Sequence, residues 1–112
     1  MISKNNVAKW CKALRSGKYP QDVGFLQTEK GFCCLGVACD LFIPKSKLIV
    51  DIDGRVAGVG FLQQNNTPAL LNRLNYDFVN KTGNALATLN DGGYSFDEIA
   101  DMLELVYIHE AL

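Results

Sequence analysis

Cys33-Cys34-Leu35-Gly36-Val37-Ala38-Cys39-Asp40-Leu41-Phe42 is apolar throughout except for Asp40, and it holds three of the chain's four cysteines. Leu35, Ala38, Cys39 and Phe42 stand at i, i+3, i+4 and i+7, the spacing that aligns side chains on one face of a helix. Val37 and Leu41 cover much of the other side, so this helix keeps no broad solvated face. A helix apolar on most sides is one that the rest of the molecule packs upon. Gly36 costs about 1 kcal/mol of helix propensity, which points to another backbone approaching closely there.

The flanks read outward from that helix. Ser3 is a candidate N-cap for a helix with Val7, Trp10, Cys11 and Leu14 in one stripe, closed by Gly17. A polar loop over 15–21 follows. Phe25-Leu26-Gln27 and Gly31-Phe32-Cys33 on either side of Thr28-Glu29-Lys30 predict a short hairpin leading into the central helix, and Pro44 stops that helix. Leu48-Ile49-Val50-Asp51-Ile52 and Arg55-Val56-Ala57-Gly58-Val59, rich in β-branched residues and separated by Asp53-Gly54, predict a second hairpin. Thr67-Pro68 opens a short helix burying Leu70, Leu71 and Leu74. Residues 75–84 read either as a strand with Tyr76 and Phe78 alternating or as a core cover. Residues 84–89 are a short apolar helix or strand, with a turn at Asn90-Asp91-Gly92-Gly93. Ser95-Phe96-Asp97-Glu98 is a capping box, and its helix carries Phe96, Ile99, Ala100, Leu103, Val106 and Tyr107 on one face. The predicted fold is a single α+β domain over 1–112: a central buried helix packed by N- and C-terminal helices and a small antiparallel sheet.

Composition narrows the function. The chain has 112 residues, 48% of them hydrophobic and 21% charged, with a formal net charge of -1. No basic block offers the footprint of sequence-independent nucleic-acid binding, so nucleic acid is not the expected partner. No apolar run approaches the roughly 20 residues of a membrane span. The polar start, Met1-Ile2-Ser3-Lys4, lacks an apolar signal core and predicts a cytoplasmic chain. In that compartment Cys11, Cys33, Cys34 and Cys39 are expected to be reduced and buried. Adjacent Cys33 and Cys34, with His109 as the single histidine, do not fit metal-ligand spacing, so no metal and no cofactor are expected.

Four ordered motifs carry a resemblance. They are Trp10…Ala13-Leu14-Arg15-Ser16-Gly17-Lys18-Tyr19-x-Gln21; Gly24-x-Leu26; Cys33-Cys34-Leu35-Gly36-Val37-Ala38-Cys39-Asp40; and Leu89-Asn90-Asp91-x-Gly93-x-Ser95-Phe96-x-Glu98-Ile99-Ala100-Asp101. Together they resemble a family of small uncharacterised proteins carried by tailed bacteriophages and bacterial genomes, some of them as prophage. The likeness covers both ends of the chain and not residues 44–82. It implies a phage or mobile-element origin and an accessory role, and it brings no catalytic residues with it.

Two sets of residues could carry chemistry. Cys33 or Cys34, at the start of a helix whose amide dipoles lower a thiol's pKa, could act as a nucleophile with His109 as its base. Read structurally, the same two cysteines are small buried apolar residues. The second set is Arg15, Tyr19, Gln21, Asn90 and Asp91, which offers a guanidinium, a phenol, two amides and a carboxylate to orient a polar ligand. Arg15 could grip a phosphate or carboxylate, or instead pair with Asp91. The leading expectation is a phage-encoded, non-enzymatic accessory protein in the host cytoplasm. It would bind a host protein or a small nucleotide-like ligand and so inhibit a host process. The alternatives are a small cysteine-dependent hydrolase or transferase using Cys33 or Cys34, and a homo-oligomeric structural or assembly protein.

Overall fold

The computed structural model describes residues 3–42, 48–50, 56–59 and 69–109, with backbone alone for 48–50, 56–59 and 69–74. Pro44, the Asp53-Gly54 turn, the Thr67-Pro68 cap and the side chains of Leu70, Leu71 and Leu74 lie outside what is described.

Helix α1, Lys4–Arg15, starts where the Ser3 side chain accepts from the Asn6 N–H at 3.1 Å. It buries Val7, Trp10, Cys11 and Leu14, the stripe its sequence spells out. Helix α2, Cys34–Phe42, is buried continuously from Cys34 to Cys39. Gly36 sits where the Leu26 backbone crosses the helix, and a Cβ there would overlap the Leu26 carbonyl. Two buried donors fix α1 in place: Trp10 Nε1 reaches the Cys34 carbonyl at 3.0 Å, and the Cys11 thiol reaches the Ala100 carbonyl at 3.5 Å.

The rest is helical. Helix α3 is Ala69–Thr82, α4 is Leu86–Asp91 and α5 is Phe96–Leu103, which continues into a π-helical turn, Glu104–Ile108. Ser95 and Glu98 form the reciprocal capping box at the start of α5. Beyond it Phe96, Ile99, Ala100, Leu103, Val106 and Tyr107 are all buried. Helix α1 packs most closely with α5, while α2 packs against α1 and α4. Helix α1 therefore holds both the C-terminal helix and the buried one, while α4 takes the place expected of the C-terminal helix against α2.

The α+β expectation is corrected. Among the described residues the regular strand pairing is one ribbon, β1 Leu48–Val50 with β2 Val56–Val59, antiparallel with Leu48 opposite Val59 and an irregularity between Ile49 and Val50. Strands of three and four residues form no layer on which a core can rest, and the architecture is a helical one. The hairpin expected before α2 is also reduced, to isolated bridges of Phe32 with Gln21 and with Gln27. Residues 20–22 take the place of a regular partner: the Phe32 N–H donates to the Pro20 carbonyl and the Asp22 N–H to the Phe32 carbonyl, both at 2.8 Å. Residues 75–82, read as strand or cover, belong to α3. Tyr76 is 74% exposed and Phe78 0%.

Candidate functional site

Of the five residues expected to form a polar site, the fold brings three together. Gln21 Nε2 donates to Asn90 Oδ1 at 2.9 Å and to the Tyr94 carbonyl at 2.7 Å, while Gln21 Oε1 accepts from the Phe96 N–H at 3.1 Å. Asn90 is 1% exposed. Its Oδ1 also accepts from the Cys34 N–H at 3.2 Å, and its Nδ2 donates to the Asp22 carbonyl at 2.9 Å and to Asp91 Oδ1 at 3.4 Å. An asparagine amide offers two donors and two lone pairs, and all four are used. Gln21 and Asn90 thus tie the loop to the starts of α2 and α5, and Asn90 has no capacity left for a ligand.

Arg15 and Tyr19 lie elsewhere. Arg15 bridges α1 to the C-terminal helix through Asp101 at 2.5 Å and Glu104 at 2.8 Å, not through Asp91. The hydrogen bond from Arg15 holds the Glu104 carboxyl below its usual range. The Tyr19 hydroxyl donates to Asp40 at 2.5 Å, and that bond, with some burial, pushes the phenol up to about 12.

The thiols are free and buried. Cys34 is enclosed, its thiol 3.7 Å from the Leu86 carbonyl, and burial pushes its pKa well up. Cys33 is 6% exposed, and its sulfur accepts from the Gly36 N–H at 3.4 Å. Burial raises its pKa too, outweighing the helix amides that lower it, and the charge of Asp91 adds to the rise. His109 is exposed beyond the π-turn, where its backbone N–H donates to the Glu104 carbonyl at 2.8 Å. Among the described residues no hydrogen bond joins His109 to Cys33 or Cys34, and the charged side chain acting on Cys33 is the Asp91 carboxylate. Among the described residues no three histidine, cysteine, aspartate or glutamate side chains gather as a metal would require.

Beside this network lies a cleft of about 320 Å³, within the range of small-ligand sites. Gly24, Phe25 and Leu26 form its loop wall, Cys33 and Leu35 come from the start of α2, and Ala87 and Asp91 from α4. Gly24 has a φ of +88°, a backbone setting that favours glycine, and its N–H donates to Asp91 Oδ1 at 3.3 Å. That bond and the one from Asn90 hold the carboxylate by one oxygen. Phe25 and Ala87 were not legible as site residues in the sequence. Gly24 and Leu26 were signalled only as a short shared motif.

The family model described as a domain of unknown function, DUF8296, matches residues 2–57. The chain belongs to that family. No curated protein and no solved structure matches it. The matched stretch includes α1, the loop, α2 and β1, and thus the Gly24–Leu26 and Cys33–Leu35 walls of the cleft. Asn90 and Asp91, which complete that site, lie beyond the stretch.

Proposed function

We propose that this protein is a non-enzymatic accessory protein of phage or prophage type that acts by noncovalent binding at the cleft between the loop, α2 and α4. One observation carries the reading: three of the four motifs behind the phage-family resemblance converge on that cleft, as Gly24 and Leu26, Cys33 and Leu35, and Asp91. The raised thiol pKa values support binding over covalent chemistry, because the nucleophile of a cysteine enzyme is the thiolate. Arg15, the phosphate anchor that a nucleotide-like ligand would have used, is engaged by Asp101 and Glu104. The partner is then a host protein or a small polar molecule held without that anchor, and its capture would serve to inhibit a host process.

Native mass spectrometry of protein purified from bacterial cells, with and without a filled cleft, tests this. A bound mass should persist in Cys33→Ser, whose hydroxyl can still accept from the Gly36 N–H, and should be lost in Ala87→Phe. Retention that requires the Cys33 sulfur, or a covalent adduct on it, would overturn the reading in favour of a thiol enzyme. Retention unaffected by Ala87→Phe would place binding elsewhere.

A further inference from the structure

Building on the cleft as a binding site, we propose that it takes a positively charged group on an apolar stem, an ammonium or a guanidinium. Asp91 supplies the anchor. Its Oδ1 is held by Gly24 and Asn90, whereas Oδ2 has no partner, and no cation pairs with the carboxylate, among the described residues. The oxygen is oriented and unspent. Phe25, Leu26, Leu35 and Ala87 make the remaining walls mostly apolar, and neither lysine nor arginine lines the cleft.

The helix start that borders the cleft would ordinarily favour an anion. Here two of its donors are already committed: the Cys34 N–H to Asn90 Oδ1 and the Gly36 N–H to the Cys33 sulfur. An incoming phosphate or carboxylate would meet Asp91 without these amides to offset the repulsion. An incoming cation would gain a charge-assisted hydrogen bond from a carboxylate that is exposed at the cleft, stronger than its neutral counterpart. The chemistry belongs equally to a free amine and to a lysine side chain of a partner protein.

The full-length protein, labelled with ¹⁵N, is titrated with phenethylammonium and, separately, with 3-phenylpropionate, two probes of similar shape and opposite charge. Phenethylammonium should shift the Gly24, Ala87 and Asp91 amides saturably, and phenylpropionate should not. Asp91→Asn keeps the Oδ1 acceptor but removes the charge, and should weaken phenethylammonium at least about tenfold, the scale of one charge-assisted hydrogen bond. Ala87→Leu, which fills the cleft and leaves Asp91 in place, should abolish the shifts. N-acetyl-lysine methylamide separates the sources: tighter binding than phenethylammonium assigns the cation to a protein chain, weaker binding to a free amine. Equal shifts from both charges, affinity unchanged in Asp91→Asn, or no saturable shift with any cation would overturn the proposal. The noncovalent binding reading is judged separately, by the mass retained in the native spectra.

Discussion

Asn90 and Arg15 both offered themselves as ligand-binding residues, and their surroundings give them opposite weights. Replacing Asn90 with alanine strands the buried Cys34 N–H and leaves a void at a fully buried position, while Gln21, exposed and still bonded to Tyr94 and Phe96, loses one of its three bonds. A buried group left without its partner costs about 1–3 kcal/mol, so Asn90→Ala should destabilise by about 2–3 kcal/mol in urea melts. Arg15→Ala breaks two solvent-exposed ion pairs, each worth no more than about 1 kcal/mol, and should leave binding at the cleft unchanged. A larger loss from Arg15→Ala than from Asn90→Ala would reverse this ranking. The polarity of Asn90 after the apolar Leu86–Leu89 run was legible. Its partners, drawn from residues 21, 22 and 34, were not, because nothing in the local pattern reports contacts made so far along the chain.

At the level of elements, periodicity located α1, α2 and α5 because each buries a stripe of apolar residues. It failed on α3. Tyr76 and Phe78, two positions apart, would share one face of a strand but stand about 200° apart on a helix, and the exposure of one with the burial of the other fits the helix, a difference that two aromatic residues in sequence do not reveal. The inward positions of α3 are partly polar. Asn75 Oδ1 accepts from the Leu86 N–H at 2.9 Å and so caps α4, and Asp77 accepts from the Tyr107 hydroxyl at 2.7 Å. A hydrophobic count does not see such a face. The β-branched runs do pair, as the ribbon of β1 and β2, but the α+β class drawn from them was wrong, because a sheet layer needs further strands and the 25–33 loop supplies only bridges. Gly36, in contrast, was read correctly as a close approach. Gly36→Ala should gain helix propensity yet lose about 1–3 kcal/mol, because the Leu26 backbone must move. Thermal melting of this variant beside Ala38→Gly, a loss of propensity without that collision, separates the two effects.

For the molecule as a whole, the family match ends at residue 57, but the core does not. Val7, Trp10, Cys11 and Leu14 of α1 pack against α5, so a fragment of residues 1–57 should lack cooperative thermal unfolding, as circular dichroism would show. The core also sets the response to pH. Burial pushes Cys11 and Cys39 from 9.0 up to about 11, and Tyr19 rises to about 12. Unfolded, these groups lose their protons first, so above pH 9 the unfolded chain binds fewer protons than the folded one. The stability they contribute is complete below pH 9 and is lost as pH rises from about 9 to 11 for the thiols and on to about 12 for Tyr19. The melting temperature should fall across that window, and a flat profile would mean that the thiols titrate normally in the folded protein. The sharpest test of inert, core-bound thiols beside a binding cleft is the alkylation rate of each cysteine by iodoacetamide, followed by mass spectrometry. The account predicts that all four react only as the protein unfolds, with Cys33 no faster than the others by more than its slight exposure allows. Rapid, selective alkylation of Cys33 in the folded protein, half-maximal well below pH 9, would contradict it.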